Sequence, residues 1–506
     1  MTAQSAAAQR AVLATAKGSG FLAGGSLYEF AARFVIAFLL ARLIGADGYG
    51  LYSLAISAAA LFTGLSALGL DDAMVRYVAI MRRRGDDAGL WGTLQLGLGV
   101  ATPVGVLMGL AMYVAADPIA VGLFDEPRLA PLLRMLAVLV PFLTLSSVLN
   151  GCARGFGRMD YATLGKNVVQ STLRMVLLGL LALGGMDVRT ALIVFGVSDV
   201  AASLTLLFLL NREFAFRRPV RQHVRRDVRG VFGFALPLWL SGLLKQFQGN
   251  IETVLLGALA NVTSVGIYAL VGKVNMLGHV AYRAIIVAVK PVLAGLHDGG
   301  DRAGLSSLYA TTTRWTLALN VPFFLVVALY AETLLRVFGQ AFVAGREALV
   351  VLAVAELAVA ATGISGSIID MTGHVRVKLA NTVLSMVALL TGSMLLIPRW
   401  GMLGAAVAFL IAVVLVEVAR LVEVWVFERL QPYRWSTVKP LLAGLVALGL
   451  GLALRRLVPH DGAVLVTALE CVVVLATYLC ALLLLGLAPE DRVVLQRILH
   501  RIGIRR

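Results

Sequence analysis

The chain repeats itself at a nearly constant distance. Gly45 to Tyr52 (GADGYGLY) returns in altered form as Asn261 to Tyr268 (NVTSVGIY), which places Gly266 216 positions after Gly50. Gly85 to Leu90 (GDDAGL) is echoed by Gly300 to Leu305 (GDRAGL) at an offset of 215, and Gly157 in GFGRMDY by Gly373 in TGHVRVK at 216. Chance rarely holds one offset over so many residues. Each copy contains six apolar spans, an even number. The copies are therefore expected to share one orientation, related by an axis along the membrane normal.

Those spans follow from composition and length. Of 506 residues, 59% are hydrophobic and 14% charged, with a mean hydropathy of +0.89, against about 25% charged in soluble proteins. Stretches of roughly 20 apolar residues cross a hydrocarbon core of about 30 Å as helices. Fourteen can be marked off, at 18–41, 50–70, 91–115, 130–149, 164–183, 191–210, 231–257, 265–289, 308–330, 348–369, 379–397, 402–427, 440–454 and 464–487. The predicted fold is all-α and integral to the membrane, with two six-helix lobes and two extra C-terminal helices.

The formal charge of +16 invites a nucleic-acid reading, and the placement of the charges answers it. With the N-terminus inside, only 8 of the 44 Lys and Arg fall in external loops and most lie in cytoplasmic segments, the bias that orients helical membrane proteins. Both termini are thus expected in the cytoplasm of a plasma (inner) membrane protein, and nucleic acid is not an expected partner. The run Arg212 to Arg229 holds seven arginines and reads as a topology anchor. The first span is too long and too charged for a cleaved signal peptide. Cys152, Cys471 and Cys480 show neither metal-ligand spacing nor a disulfide framework, so no metal or cofactor is expected.

The repeat divides the chain into an N-lobe (1–212), a basic linker (213–230), a C-lobe (231–428), the added pair (429–487) and an amphipathic cytoplasmic helix (488–506) whose Val494, Ile498 and Ile502 share a face. No loop is long enough for a soluble catalytic domain. An enzyme is therefore not expected, and whatever the protein does takes place within the membrane.

Polar residues inside the spans are costly, since a lone charge at the bilayer centre costs about 2.5–3.5 kcal/mol on insertion scales. Glu29 and Arg33 in span one have the i,i+4 spacing of a helix ion pair. At the matching depth span seven carries Lys245, Gln246, Gln248, Asn250 and Glu252. Span eight adds Lys273 and the stripe Asn275, His279, Tyr282 and Arg283. The four cations Arg33, Lys245, Lys273 and Arg283 face only the acids Glu29 and Glu252, an imbalance that calls for an anion in a wet cavity between the lobes. In span five, Asn167, Gln170, Ser171 and Arg174 read as an internal brace of the first lobe. Asp199, Glu356 and Glu470 lack a partner in their own helices and are candidates for a coupling proton or for interhelical hydrogen bonds. Arg420, three residues from Glu417 and Glu423, suggests a local network.

Ala41 to Ser53 (ARLIGADGYGLYS) and Gly69 to Tyr77 (GLDDAMVRY) resemble the opening signature of bacterial polysaccharide transporters, the Wzx-type flippases. These belong to one superfamily with peptidoglycan lipid flippases and multidrug and toxin extrusion antiporters. The resemblance covers about the first 430 residues, and the two added spans agree with the flippase branches. It implies a protein that moves an undecaprenyl-pyrophosphate-linked oligosaccharide to the outer leaflet through a cationic cavity, alongside membrane lipids and with a polysaccharide polymerase and export machinery as further partners. Arg33, Lys245 and Arg283 would then attract the pyrophosphate, Gln246, Gln248 and Asn250 would meet sugar hydroxyls, and Arg76, at the inner end of span two, would either meet the head group as it arrives or serve as an anchor. Spans thirteen and fourteen would offer a surface for the lipid tail. A drug or organic-cation antiporter on the same scaffold is the alternative, and it would want acids and aromatics in the cavity.

Overall fold

In hydrocarbon a chain must satisfy its own backbone hydrogen bonds, and among the described residues this one does so with helices and no strand. A computed structural model describes residues 3–182, 184–213, 224–457, 464–486 and 491, with side chains from residue 28 onward except 281, 375, 464 and 465. Packing divides the chain into two units, Met1–Ala269 and Leu270–Arg506.

The first unit contains α1 (Ala3–Ala67), α2 (Leu70–Arg84), α3 (Asp87–Val114), α4 (Leu129–Ala137), α5 (Val140–Gly155), α6 (Met159–Thr163), α7 (Gln170–Leu181), α8 (Val188–Glu213), α9 (Val228–Leu259) and the start of α10 (Val262–Asp298), with π turns at Pro118–Leu123 and Leu164–Val169. Its core joins Leu70, Met74 and Val78 of α2 to Leu94 of α3, Val148 and Cys152 of α5, and Val231 of α9. The span that opens the second sequence copy, α9, thus packs with the first unit: Trp239 Nε1 donates to the Gly64 carbonyl at 2.9 Å. The brace expected in span five is present, with Arg174 Nη2 3.1 Å from Asp199 Oδ2 of α8 and its Nε donating to Ser198 Oγ at 3.2 Å.

The second unit continues with α11 (Arg302–Arg336), α12 (Arg346–Thr362), α13 (Ser365–Met371), α14 (Val375–Glu428), α15 (Trp435–Leu457) and α16 (Val464–Leu484). The added pair docks on α11: Val321, Leu325, Leu329 and Tyr330 meet Ala443 and Ala447 of α15 and Val474 and Tyr478 of α16. Tyr478 Oη donates to the Ala318 carbonyl at 3.0 Å.

Each echo in the sequence has a structural job. Gly85 and Gly300 take the left-handed conformation (φ +64° and +68°) that ends one helix, which costs an L side chain energy but not glycine. One residue on, Asp86 and Asp301 cap α3 and α11, accepting from Gly89 N and Gly304 N at 2.8 Å each, as N-cap carboxylates do. Gly157 and Gly373 are again a left-handed pair, at φ +71° and +84°.

Among the described residues, seven helices are long and apolar enough to cross a membrane, or up to 11 if each bent pair counts once. These pairs are bent by 43° before α2, 48° between α4 and α5, and 51° between α12 and α13, the fourth lying within α10. Fourteen passes are reached only by dividing α1 at Gly45 (φ +67°) and α14 at Gly401 (φ +55°), and by counting α6 to α7 as one more. Large apolar side chains such as Leu107, Leu180 and Leu204 stand 58–65% exposed. Such a surface in a multi-pass protein suits lipid rather than water. Of the expected C-terminal amphipathic helix only Asp491 lies within the described residues, and of the basic linker 214–223 lie outside them.

Candidate functional site

In the first unit, Arg33 and Glu29 of α1 form the ion pair that their spacing predicts. The Arg33 side chain is nonetheless 57% exposed. Lys245 of α9 is exposed and has no ion pair or hydrogen bond among the described residues. Its neighbours are engaged locally: Gln246 Nε2 donates to the Ala60 carbonyl, Asn250 Nδ2 donates to the Gln246 carbonyl at 2.8 Å, and Glu252 accepts from Tyr268 Oη at 3.1 Å. Gln248 is half-buried. Arg76, exposed on α2, stacks on Phe234 of α9 with its guanidinium carbon 4.4 Å from the ring centroid, a cation–π contact.

In the second unit the stripe on α10 divides by height. Asn275 is buried and donates to Glu356 Oε1 of α12 at 3.3 Å, while His279 Nδ1 lies 3.1 Å from Glu356 Oε2. Both therefore face α12 inside their own unit, and Glu356 receives the interhelical partners that its own helix does not offer. Lys273 and Arg283 are exposed, and no carboxylate or hydrogen bond holds Arg283 among the described residues. Near one end of α14, Arg420 pairs with Glu417 while Glu423 accepts from Asn381 at 2.7 Å. The local network is thus split between two partners.

Sequence reading did not anticipate how the repeated motif is used. A Cβ added to Gly50 would stand 1.9 Å from the Val262 carbonyl oxygen, and one added to Gly266 would stand 1.9 Å from the Ala46 carbonyl oxygen. Since 262 − 46 and 266 − 50 both equal 216, the contact is reciprocal between repeat mates. Thr263 Oγ1 and Asp47 Oδ1, 3.4 Å apart, are mates at the same offset. Beside them Arg128 holds Asp47 (2.9 Å) and Glu126 (2.7 Å), and hydrogen bonding from that guanidinium holds the Glu126 carboxyl below the usual carboxylate range. The eight-residue echo was the available signal. A buried arginine was also missed: Arg314 of α11 donates to Ser436 Oγ at 3.1 Å and to Asp491 Oδ1 at 2.7 Å.

Comparison with known proteins places this geometry in context. The profile of the polysaccharide biosynthesis protein family matches residues 15–297, more than half of the chain. Stage V sporulation protein B of Bacillus subtilis (strain 168) is 26% identical over 251 residues. That match covers 47% of this chain and 47% of that protein, so the chain spans about half the length of this curated relative. Among solved structures, the lipid II flippase MurJ in an inward closed conformation aligns with a TM-score of 0.73 at 11% identity, over 96% of this chain and 99% of that one. An inward-facing multidrug resistance MATE family transporter of the MOP superfamily aligns at 0.64 and 19% identity, over 78% and 93%. At such identities the likeness is one of fold, that of a multi-pass membrane transporter.

Proposed function

The chain belongs to the polysaccharide biosynthesis protein family, and on that premise we propose that it flips a polyprenyl-pyrophosphate-linked oligosaccharide from the cytoplasmic to the external leaflet of the plasma membrane by alternating access. The observation that carries the reading is the pair of cations on membrane helices, Lys245 of α9 and Arg283 of α10, that have no carboxylate partner among the described residues. A bare cation in hydrocarbon costs several kcal/mol. An anionic cargo in a wet cavity removes that cost.

A pyrophosphate and a glycan lose their water hydrogen bonds in lipid, so the head travels through the protein while the polyprenyl tail stays in the bilayer. Arg283 offers the phosphate a planar fork and Lys245 a point charge, with Arg33 as a third cation whose charge Glu29 partly offsets. Gln248 and Asn250 supply hydrogen-bonding groups for sugar hydroxyls. Arg76 meets the head group near the cytoplasmic end of α2, both termini being cytoplasmic in this reading. The 96% coverage of the MurJ alignment leaves too few residues to omit α15 and α16, whereas the MATE alignment covers 78%. That difference favours a flippase over a drug antiporter. So does the engagement of Glu252, Glu356 and Asp199 by polar partners, since an organic cation needs open acids.

Charge reversal Lys245→Glu tests the reading. Surface polysaccharide and flipping of a lipid-linked oligosaccharide in vesicles are expected to be lost at unchanged protein level. Unaltered polysaccharide from correctly inserted Lys245→Glu protein would refute the cationic-cavity assignment, and transport of cationic dyes but not the lipid would replace it with the antiporter.

A further inference from the structure

The second unit holds a cavity of about 420 Å³ that none of the proposed cargo residues lines. Its walls come from three helices: Ala328, Leu329, Ala331 and Glu332 of α11, Arg346, Glu347, Val350 and Val351 of α12, and Arg455 of α15. The sequence accounts for its depth. The last turn of α11, the first turn of α12 and the last turn of α15 all carry the charged residues that mark membrane interfaces, so the cavity sits at headgroup level whichever way the chain is oriented.

The cavity is chemically two-sided. Ala328, Leu329, Ala331, Val350 and Val351 make one part of the wall apolar, and two guanidiniums and two carboxylates make the other. Glu332 is occupied: Arg336 Nη2 lies 2.5 Å from its Oε1, and Arg346 Nη1 lies 3.8 Å from its Oε2. Among the described residues Glu347 has only a 3.9 Å contact to its neighbour Arg346, and it is 63% exposed. Arg455 has no carboxylate among the described residues. One edge of it donates to the Leu329 carbonyl beside the break in α11 at Tyr330. That bond fixes the guanidinium over the cavity and leaves its other donors free. One acid and one base are thus both available in a single pocket with an apolar floor.

From this arrangement we infer that the cavity seats the head of a membrane phospholipid bearing both a phosphate and a primary ammonium, a phosphoethanolamine head. The phosphate pairs with Arg455, the ammonium donates to Glu347, and the glycerol and first acyl carbons lie on Ala328, Ala331, Val350 and Val351. A phosphoglycerol head would face Glu347 with neutral hydroxyls and leave that carboxylate without a cation. A quaternary ammonium has no N–H to give that carboxylate. The site lies apart from the proposed cargo residues, and it assigns α15 a part in lipid binding through Arg455.

Native mass spectrometry of the full chain, released from nanodiscs containing phosphatidylethanolamine, phosphatidylglycerol and phosphatidylcholine in equal amounts, tests this. Phosphatidylethanolamine is expected to be retained preferentially. Arg455→Ala should lower its retention about tenfold, the worth of a hydrogen bond to a charged group. Glu347→Gln, a change at an exposed position that the fold tolerates, should cut the ethanolamine-to-glycerol lipid ratio by a similar factor. Because that ratio is read within each variant, it does not depend on yield. Equal retention of the three lipids, or a Glu347→Gln ratio matching wild type, would overturn the inference. Equal displacement of the lipid by soluble glycerophosphoethanolamine would overturn its lipid source.

Discussion

The reciprocal crossing of the repeated motif makes a sharp energetic prediction. In Gly50→Ala the new methyl would lie 1.9 Å from the Val262 carbonyl oxygen, where ordinary contact begins at 3.4 Å, so the two helices must part by roughly 1.5 Å. The obstacle is backbone, which no rotamer change relieves. Overpacking of this kind costs typically 1–3 kcal/mol, and the upper end applies here. Gly266→Ala meets the Ala46 carbonyl at the same 1.9 Å and should cost about as much. Once one methyl has parted the helices, the other finds space already made. The double variant should therefore cost clearly less than the sum, with a coupling within the roughly 0.5–3 kcal/mol seen between contacting sites. Melting of the purified protein, read as loss of the monodisperse peak on size exclusion, measures this. A cost near 3 kcal/mol corresponds to a drop of several degrees, since each kcal/mol moves domains of 150–250 residues by roughly 2–4 °C and longer chains by less. Gly99→Ala, in α3 with no atom within 4 Å of the added carbon, is the control and should be neutral or stabilising by up to about 1 kcal/mol. Single variants that melt like wild type, or a double variant whose loss equals the sum, would refute the reciprocal contact.

Two further outcomes follow from polar contacts. Asp199→Ala strands the Arg174 guanidinium, 15% exposed, and should cost about 3–5 kcal/mol; Arg174→Met combined with Asp199→Leu should recover part of the folded yield, and a double variant no better than either single one would contradict an internal brace. Since the folded Glu126 carboxyl titrates below its unfolded value of about 4.3, its contribution is present above that value and disappears as pH falls through the lowered one. The melting difference between wild type and Glu126→Gln should accordingly shrink from pH 6 toward pH 3, and a difference constant over that range would contradict the role of Arg128.

Much of the fold was legible because its signals are local. Asp86 and Asp301 announce helix starts three residues before a glycine, and Gly85, Gly300, Gly157 and Gly373 announce the ends just before or beside them. The Glu29 and Arg33 pair follows from i,i+4 spacing alone. The rest depends on how each helix turns about its own axis against a neighbour, which no window of sequence contains. Asn275 and His279 share a stripe with Arg283, yet Glu356, 77 and 81 positions away, draws the first two toward α12. Glu423 looked as near to Arg420 as Glu417 did, and Asn381 of the same long helix took it. Span ends were blurred where α1 and α14 run on through Gly45 and Gly401 without a loop. The repeat assigns α9 to the second copy, and Val231 and Ala235 of that helix lie in the core of the first unit.

The mutual fit of Gly50 and Gly266 has a historical consequence. After a gene segment doubles, its copies drift independently wherever they do not meet, and a substitution in one is judged without reference to the other. Where the copies press on each other, any enlargement on one side is felt at once on its mate, so ancestral small residues persist there in both. The best-preserved trace of the duplication should thus survive at the place where the descendants still touch.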